Sequence, residues 1–275
     1  MIMLKKSLSL LLAAVTATSI FAAPAALAEE KTVLKVASHL PPMTDIVELV
    51  NEVIEEPYKV ELVEVSDNIQ YNEALLNDEV YANFAQHAPF MEMFNEANKG
   101  DLVAVQPVYN ARVGFYASKY KSLEDIKDGA AVAVPSDPTN QARALLILAS
   151  YDLITLKEGV GFKATIDDVE KNLHNLKFSE VDLLNLTSAY EDGVDLVFNY
   201  PTYIEKVGLT PDDALLLEKD PEQTFAVSLV VREGNKDSEA TKALVKAFTS
   251  KEVHQFLEKL AQKGHLEPAF ELKAE

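Results

Sequence analysis

The 275-residue chain has no cysteine. That excludes a thiol nucleophile, a thiolate metal site and a disulfide framework. The fold must rest on its hydrophobic core, which a chain of this length can build. The residue that would carry an N-terminal lipid is missing too. Basic residues are in deficit: 25 Lys and Arg stand against 44 Asp and Glu, a formal net charge of −19. Nucleic acids and anionic membrane surfaces demand clustered Lys and Arg, so neither is expected as a partner. Glycine is scarce, with nine in all, and none builds a phosphate-cradling loop. The G-x-S-x-G and H-E-x-x-H motifs are absent. The histidines at 39, 87, 174, 254 and 265 show no metal-ligand spacing. Asp167-Asp168 and Asp212-Asp213 each follow a threonine and read as helix-start acids rather than catalytic pairs. No enzymatic activity and no cofactor are expected.

What is present begins with "MIMLKKSLSLLLAAVTATSIFAAPAALAEE". Lys5 and Lys6 precede an apolar run that ends in Ala26-Leu27-Ala28, an A-x-A cleavage signal. A signal peptide over 1–28, cleaved after Ala28, is expected. The uninterrupted apolar stretch is short and Pro24 breaks its flank, which disfavours a membrane anchor. The product is expected to be a soluble periplasmic protein without a lipid anchor.

After the leader, strand and helix patterns alternate. "VLKVAS" reads as a strand, and Ile46, Leu49, Val50 and Val53 recur at helical spacing. "YKVELVEV", "VYANF", "AAVAVP", "NLKFSEVD" and "VDLVFN" read as further strands. "YNEALLNDE", "APFMEMFNEANKG" (closed by Gly100), "KSLEDIKDG" and "ARALLILASYD" read as helices. Two amphipathic helices, 237–249 and 251–263, end the chain. Repeated βα units imply α/β layers with mostly parallel sheets. Two long extended runs, 102–118 and 222–232, suggest that the chain crosses twice between two lobes and finishes on the first. Ligands in such folds bind at the carboxyl ends of strands and between domains.

Four strand-to-helix turns carry polar or aromatic residues. In "VAVPSDPTNQARALL" (132–146), Asp137 is a good N-cap and Pro138 suits the first helical position. Asn140 and Arg143 are three apart and share a face. A guanidinium fork matches a carboxylate bidentately, so the pair could hold an anionic ligand group. The same arginine could instead sit on the surface, paired with one of the many acids. "YANFAQHAPFMEMF" (81–94) offers Gln86, His87 and Phe90 as a pocket wall, or as an ordinary helix start with core aromatics. "FNYPTY" (198–203) offers Asn199, Tyr200 and Tyr203, and "VSDNIQYNEAL" offers Asn68 and Tyr71, with the same two readings.

"NEAL", "YANFAQHAPFMEMF", "VAVPSDPTNQARALLIL", "GLTP" and "VVREGNKD" occur in this order. Together they resemble the NlpA, or methionine-binding lipoprotein, family of substrate-binding proteins of methionine ABC importers. The resemblance spans roughly 33–270. It implies an α/β, two-lobed periplasmic-binding-protein fold of type II-like form, with the ligand in the interdomain cleft. The lobes would comprise 29–112 with 227–275, which carries the C-terminal helices, and 113–226. It implies that Arg143 takes a ligand carboxylate with Asn140 nearby and His87 in the wall. Phe84 and Phe90 would line one side, and Asn68, Asn199 and Tyr200 the rest. Several positions depart from the family pattern: Asn68 for a tyrosine, Ala85 for a phenylalanine, Phe90 for a tyrosine, and Tyr200 and Val227 for asparagines. The departures leave the carboxylate contact and alter the surroundings of the ligand's side chain and amino group. The expected function is a monomeric solute-binding protein that delivers an amino acid, methionine or a relative, to a membrane permease with its ATPase. A short peptide or a non-amino organic acid as ligand, a sensor without transport, and an exported enzyme are the alternatives. Loss of Arg143 is expected to abolish binding without unfolding the chain.

Overall fold

The computed structural model describes residues 31–272 apart from Asn68, Asp220 and Pro221; the expected signal peptide, 1–28, lies outside them. Strands β1 (Thr32–Ser38), β2 (Tyr58–Glu64) and β3 (Ala82–His87) alternate with helices α1 (Met43–Val53) and α2 (Gln70–Leu76). Helix α3 (Ala88–Asn98) leads to β4 (Leu102–Ala111) and β5 (Gly114–Tyr116). Then come β6 (Ala131–Pro135), α4 (Pro138–Ser150) and a hairpin of β7 (Ile154–Leu156) with β8 (Val169–Asn172). Next are β9 (Lys177–Val181), α5 (Leu186–Glu191), β10 (Leu196–Asn199), α6 (Pro201–Ile204) and β11 (Leu216–Leu217). The chain closes with β12 (Val227–Arg232), α7 (Glu239–Phe248), α8 (Lys251–Ala261) and β13 (Leu266–Pro268). Among the described residues no helix is long and apolar enough to cross a membrane.

Two sheets result, and the fold is two-lobed α/β. One sheet runs β13-β4-β12-β3-β1-β2, with β1 parallel to both β2 and β3 and with β12 antiparallel to β3 and β4. The other runs β11-β5-β10-β6-β9, with β6 parallel to β9 and β10. The chain therefore passes between sheets twice, after β4 and before β12. Helices α7 and α8 return to the first sheet and pack on α1.

Packing follows from the residue pattern. Helix α1 buries Ile46, Val47 and Val50 completely, along with Val36 of β1. Each such side chain contributes about 1.5–3 kcal/mol. Strand β3 is buried at all six positions, as a central strand covered on both faces should be.

Two local expectations change and one holds. The helix expected in "KSLEDIKDG" is a single 3₁₀ turn, Leu123–Asp125. Ser122 and Asp125 form a capping box around it, and closure within three residues leaves no room for an α-helix. Helix α3 ends on Lys99, which takes the left-handed conformation at φ 54°. Gly100 follows because a Cβ there would lie 2.6 Å from the Asn95 Oδ1. The Asn95 amide ties the helix to β4 through both backbone groups of Leu102. Asp168 and Asp213 close capping boxes with Thr165 and Thr210, as helix-start acids do.

Candidate functional site

A pocket lies at the carboxyl ends of β1, β3 and β10 and the amino ends of α4 and α6, where ligands of such folds bind. Residues of both sheets and their helices line it, among them His39, Tyr71, His87, Asn140, Tyr200 and His265. No Asp, Glu, Lys or Arg lines it among the described residues.

The α4 turn is built as its sequence indicates. Asp137 Oδ1 accepts from the Asn140 backbone N–H at 3.0 Å and from the Asn140 Nδ2 at 2.9 Å. Holding the amide nitrogen leaves Asn140 Oδ1 free to accept elsewhere. The Tyr200 hydroxyl donates to it at 2.8 Å, and His87 Nε2 lies 3.4 Å away. His87 caps α3, its Nδ1 accepting from the Phe90 N–H at 3.2 Å. The ring proton therefore sits on Nε2, facing Asn140. Burial, and then the Arg143 charge, pushes the imidazole down to about 3, so it stays neutral.

Arg143 is 1 % exposed, which rules out the surface reading. Its partner is an acid all the same. Nε donates to Glu218 Oε1 at 2.6 Å and Nη2 to Oε2 at 2.5 Å. The Glu218 side chain is 8 % exposed, so the ion pair is buried. Nη1 donates to the Tyr200 hydroxyl at 3.0 Å, and Nη2 reaches the Ala111 carbonyl at 3.3 Å. The guanidinium lies over the Phe225 ring, 4.4 Å from its centroid. Burial alone would lower its pKa, but Glu218 and Tyr200 outweigh it and hold the pKa above its ordinary value. The Tyr200 hydroxyl is pushed up to about 12, chiefly by burial against the pull of Arg143. It remains protonated, accepting from Arg143 and donating to Asn140. A continuous chain of polar contacts thus runs Glu218, Arg143, Tyr200, Asn140, His87.

Of the residues singled out from the sequence, His87, Phe90, Asn140 and Tyr200 line the cavity together. Arg143 stands behind the wall, with its Nε/Nη2 edge closed by Glu218. Phe84 belongs to the core instead, its ring 4.9 Å from Phe248 and 6.1 Å from Tyr109. Ala85, Gln86 and His87 line the cavity after a register shift against β12, while Phe84, before it, turns into the core. Asn199 shapes the turn: its Nδ2 donates to Thr187 Oγ1 and its Oδ1 accepts from the Tyr200 N–H. Asn68 lies outside the described residues. Glu218, His39 and His265 were not legible as site residues. Glu218 stands 75 positions from its partner, and single histidines beside prolines and glycine carry no periodic signal.

Two α/β lobes with a cavity at their strand ends define a two-lobed substrate-binding protein, a class that closes on a small molecule. Comparison with known sequences is more specific. The model of the NlpA lipoprotein family matches residues 34–270. The D-methionine-binding lipoprotein MetQ of Escherichia coli K12 is 36 % identical over 222 residues, 80 % of this chain and 82 % of that one. The chain belongs to the NlpA lipoprotein family. Solved structures agree. A YaeC-family lipoprotein from Enterococcus faecalis is 48 % identical with a TM-score of 0.79, covering 86 % of this chain and 99 % of its own. A nutrient-binding protein from Burkholderia cenocepacia, bound to methionine, is 34 % identical with a TM-score of 0.80, covering 86 % and 100 %.

Proposed function

We propose that the protein is the solute-binding component of an ABC importer and that its ligand is a small amino acid, methionine or a relative. Kinship with MetQ supports the transport role, and the methionine-bound neighbour supports the ligand class. The single observation that carries the site is the contact chain from Arg143 through Tyr200 to Asn140 and His87. Nη1 of Arg143 has two N–H groups, and Tyr200 takes one of them. The second, with the amino end of α4, receives the ligand carboxylate. Phe90 and Tyr71 flank the side chain.

Charge balance favours an amino acid over a simple organic acid. The Arg143–Glu218 pair is neutral as a unit, and no formal charge lines the cavity among the described residues. A zwitterion, neutral overall, enters such a site without leaving a buried net charge. In this reading residues 29–112 and 227–275 form one lobe and 113–226 the other. The protein acts as an exported monomer that binds without turnover and hands its ligand to a permease with its ATPase. A thermal-shift screen of ligand-free protein against the amino acids tests the reading. A neutral amino acid should raise Tm, and raise it further as its concentration climbs above Kd. No shift with any of them would refute it.

A further inference from the structure

The cavity wall beside Tyr71 holds a further polar group. His39 follows β1 and is 9 % exposed, and it lines the cavity. Both its ring nitrogens are buried, and neither has a hydrogen-bond partner among the described residues. The ring packs beside Tyr71 at 5.8 Å, Tyr71 beside Phe90 at 6.3 Å, and Phe90 beside His87 at 6.2 Å. Two aromatic rings therefore stand between His39 and the His87–Asn140 contact. Beyond the polar end that suits the common part of an amino acid lie an aromatic stretch and the His39 imidazole; His265, also in the lining, has its Nδ1 3.9 Å from a Glu205 carboxylate oxygen.

We infer that His39 is a specificity-determining residue that hydrogen-bonds the far end of the ligand's side chain, and that this protein selects amino acids ending in a neutral hydrogen-bonding group. The inference rests on the amino-acid reading above. An imidazole offers one donor and one acceptor when neutral. An apolar side-chain end would leave both buried and unsatisfied, and a site built to hydrogen-bond its ligand rejects analogues that cannot. A charged end would meet no compensating charge in the lining. A hydroxyl, carboxamide or sulfoxide satisfies the imidazole better than a thioether or alkyl end, which places the preferred ligand among the polar relatives of methionine.

Titration calorimetry of ligand-free protein with L-methionine sulfoxide, L-glutamine, L-methionine and L-norleucine tests this directly. The unaltered protein should bind the better of the first two about ten-fold or more tightly than either of the last two. His39→Leu should erase that preference, and His39→Gln, which keeps a donor and an acceptor, should retain most of it. Equal affinity for norleucine and the polar pair would overturn the inference. So would a His39→Leu protein that weakens all four ligands alike, since that is the mark of a merely structural side chain. Failure of all four to bind the unaltered protein would instead overturn the amino-acid reading, and this inference with it.

Discussion

The two ends of the cavity differ in how far they are finished. At the α4 end the Arg143 guanidinium spreads its donors over Glu218, Tyr200 and Ala111. The Asn140 amide and the Tyr200 hydroxyl also have their partners there. At the β1 end His39 offers two nitrogens with none among the described residues. The finished end rests on a buried ion pair with its hydrogen bonds already made. It suits the part that all amino acids share. The unfinished end suits the part that differs. Stability should concentrate at the first end and discrimination at the second.

Substitutions and pH can break that contrast. The largest effect should come from Arg143→Met, which leaves Glu218 buried without its cation. A loss of about 3–5 kcal/mol in denaturant unfolding is expected. The expectation that this arginine can be removed without harm to the fold is thereby corrected. Arg143→Met with Glu218→Gln should recover most of the stability but none of the binding. That separates the structural from the ligand-facing role.

Acid should act next. Burial pushes His39 down to about 4, against the opposing Asp67, and His87 down to about 3, from an ordinary 6.5. The unfolded chain takes up these protons first. The stability due to neutral histidines is thus complete above pH 6.5 and falls as the pH drops toward the folded values. Each should contribute a loss of roughly 2 kcal/mol between pH 7 and pH 5. Asp137, raised by burial, works in the opposite direction. Comparing unfolding of His87→Gln and the unaltered protein at both pH values isolates the histidine part.

Tyr200→Phe should follow, at about 1–2 kcal/mol, because Arg143 Nη1 and Asn140 Oδ1 each lose a partner. Affinity for every amino acid should fall by a similar factor, unlike the selective change expected at His39. Asp137→Ala removes the α4 cap and should cost about 1 kcal/mol. It should also free the Asn140 amide to rotate, weakening binding without altering which ligand is preferred.

Much of this architecture is written in local patterns, and the parts that are not have physical reasons. The βα alternation, the Asp137 cap and the Pro138 start follow from period and capping chemistry alone. The β7–β8 hairpin has strands of three and four residues, too short for any period to show. Phe84 was placed in the wall by the family resemblance, as the neighbour of Ala85 where the family has a phenylalanine, and every residue of β3 is buried. With both faces covered, polarity gives no sign of which side meets the cavity. Arg143 was legible as a charge in want of a partner. That Glu218 supplies it depends on a tertiary contact between α4 and the chain leaving β11. His39 became visible only once burial showed it to be enclosed and unpaired.

The most direct test of the central claim is calorimetry of the unfolded-and-refolded, ligand-free protein against neutral amino acids, run beside the Arg143→Met/Glu218→Gln double variant. Saturable one-to-one binding by the unaltered protein, and none by a folded double variant, is the predicted result. Equal binding by both proteins, or none by either, would contradict it.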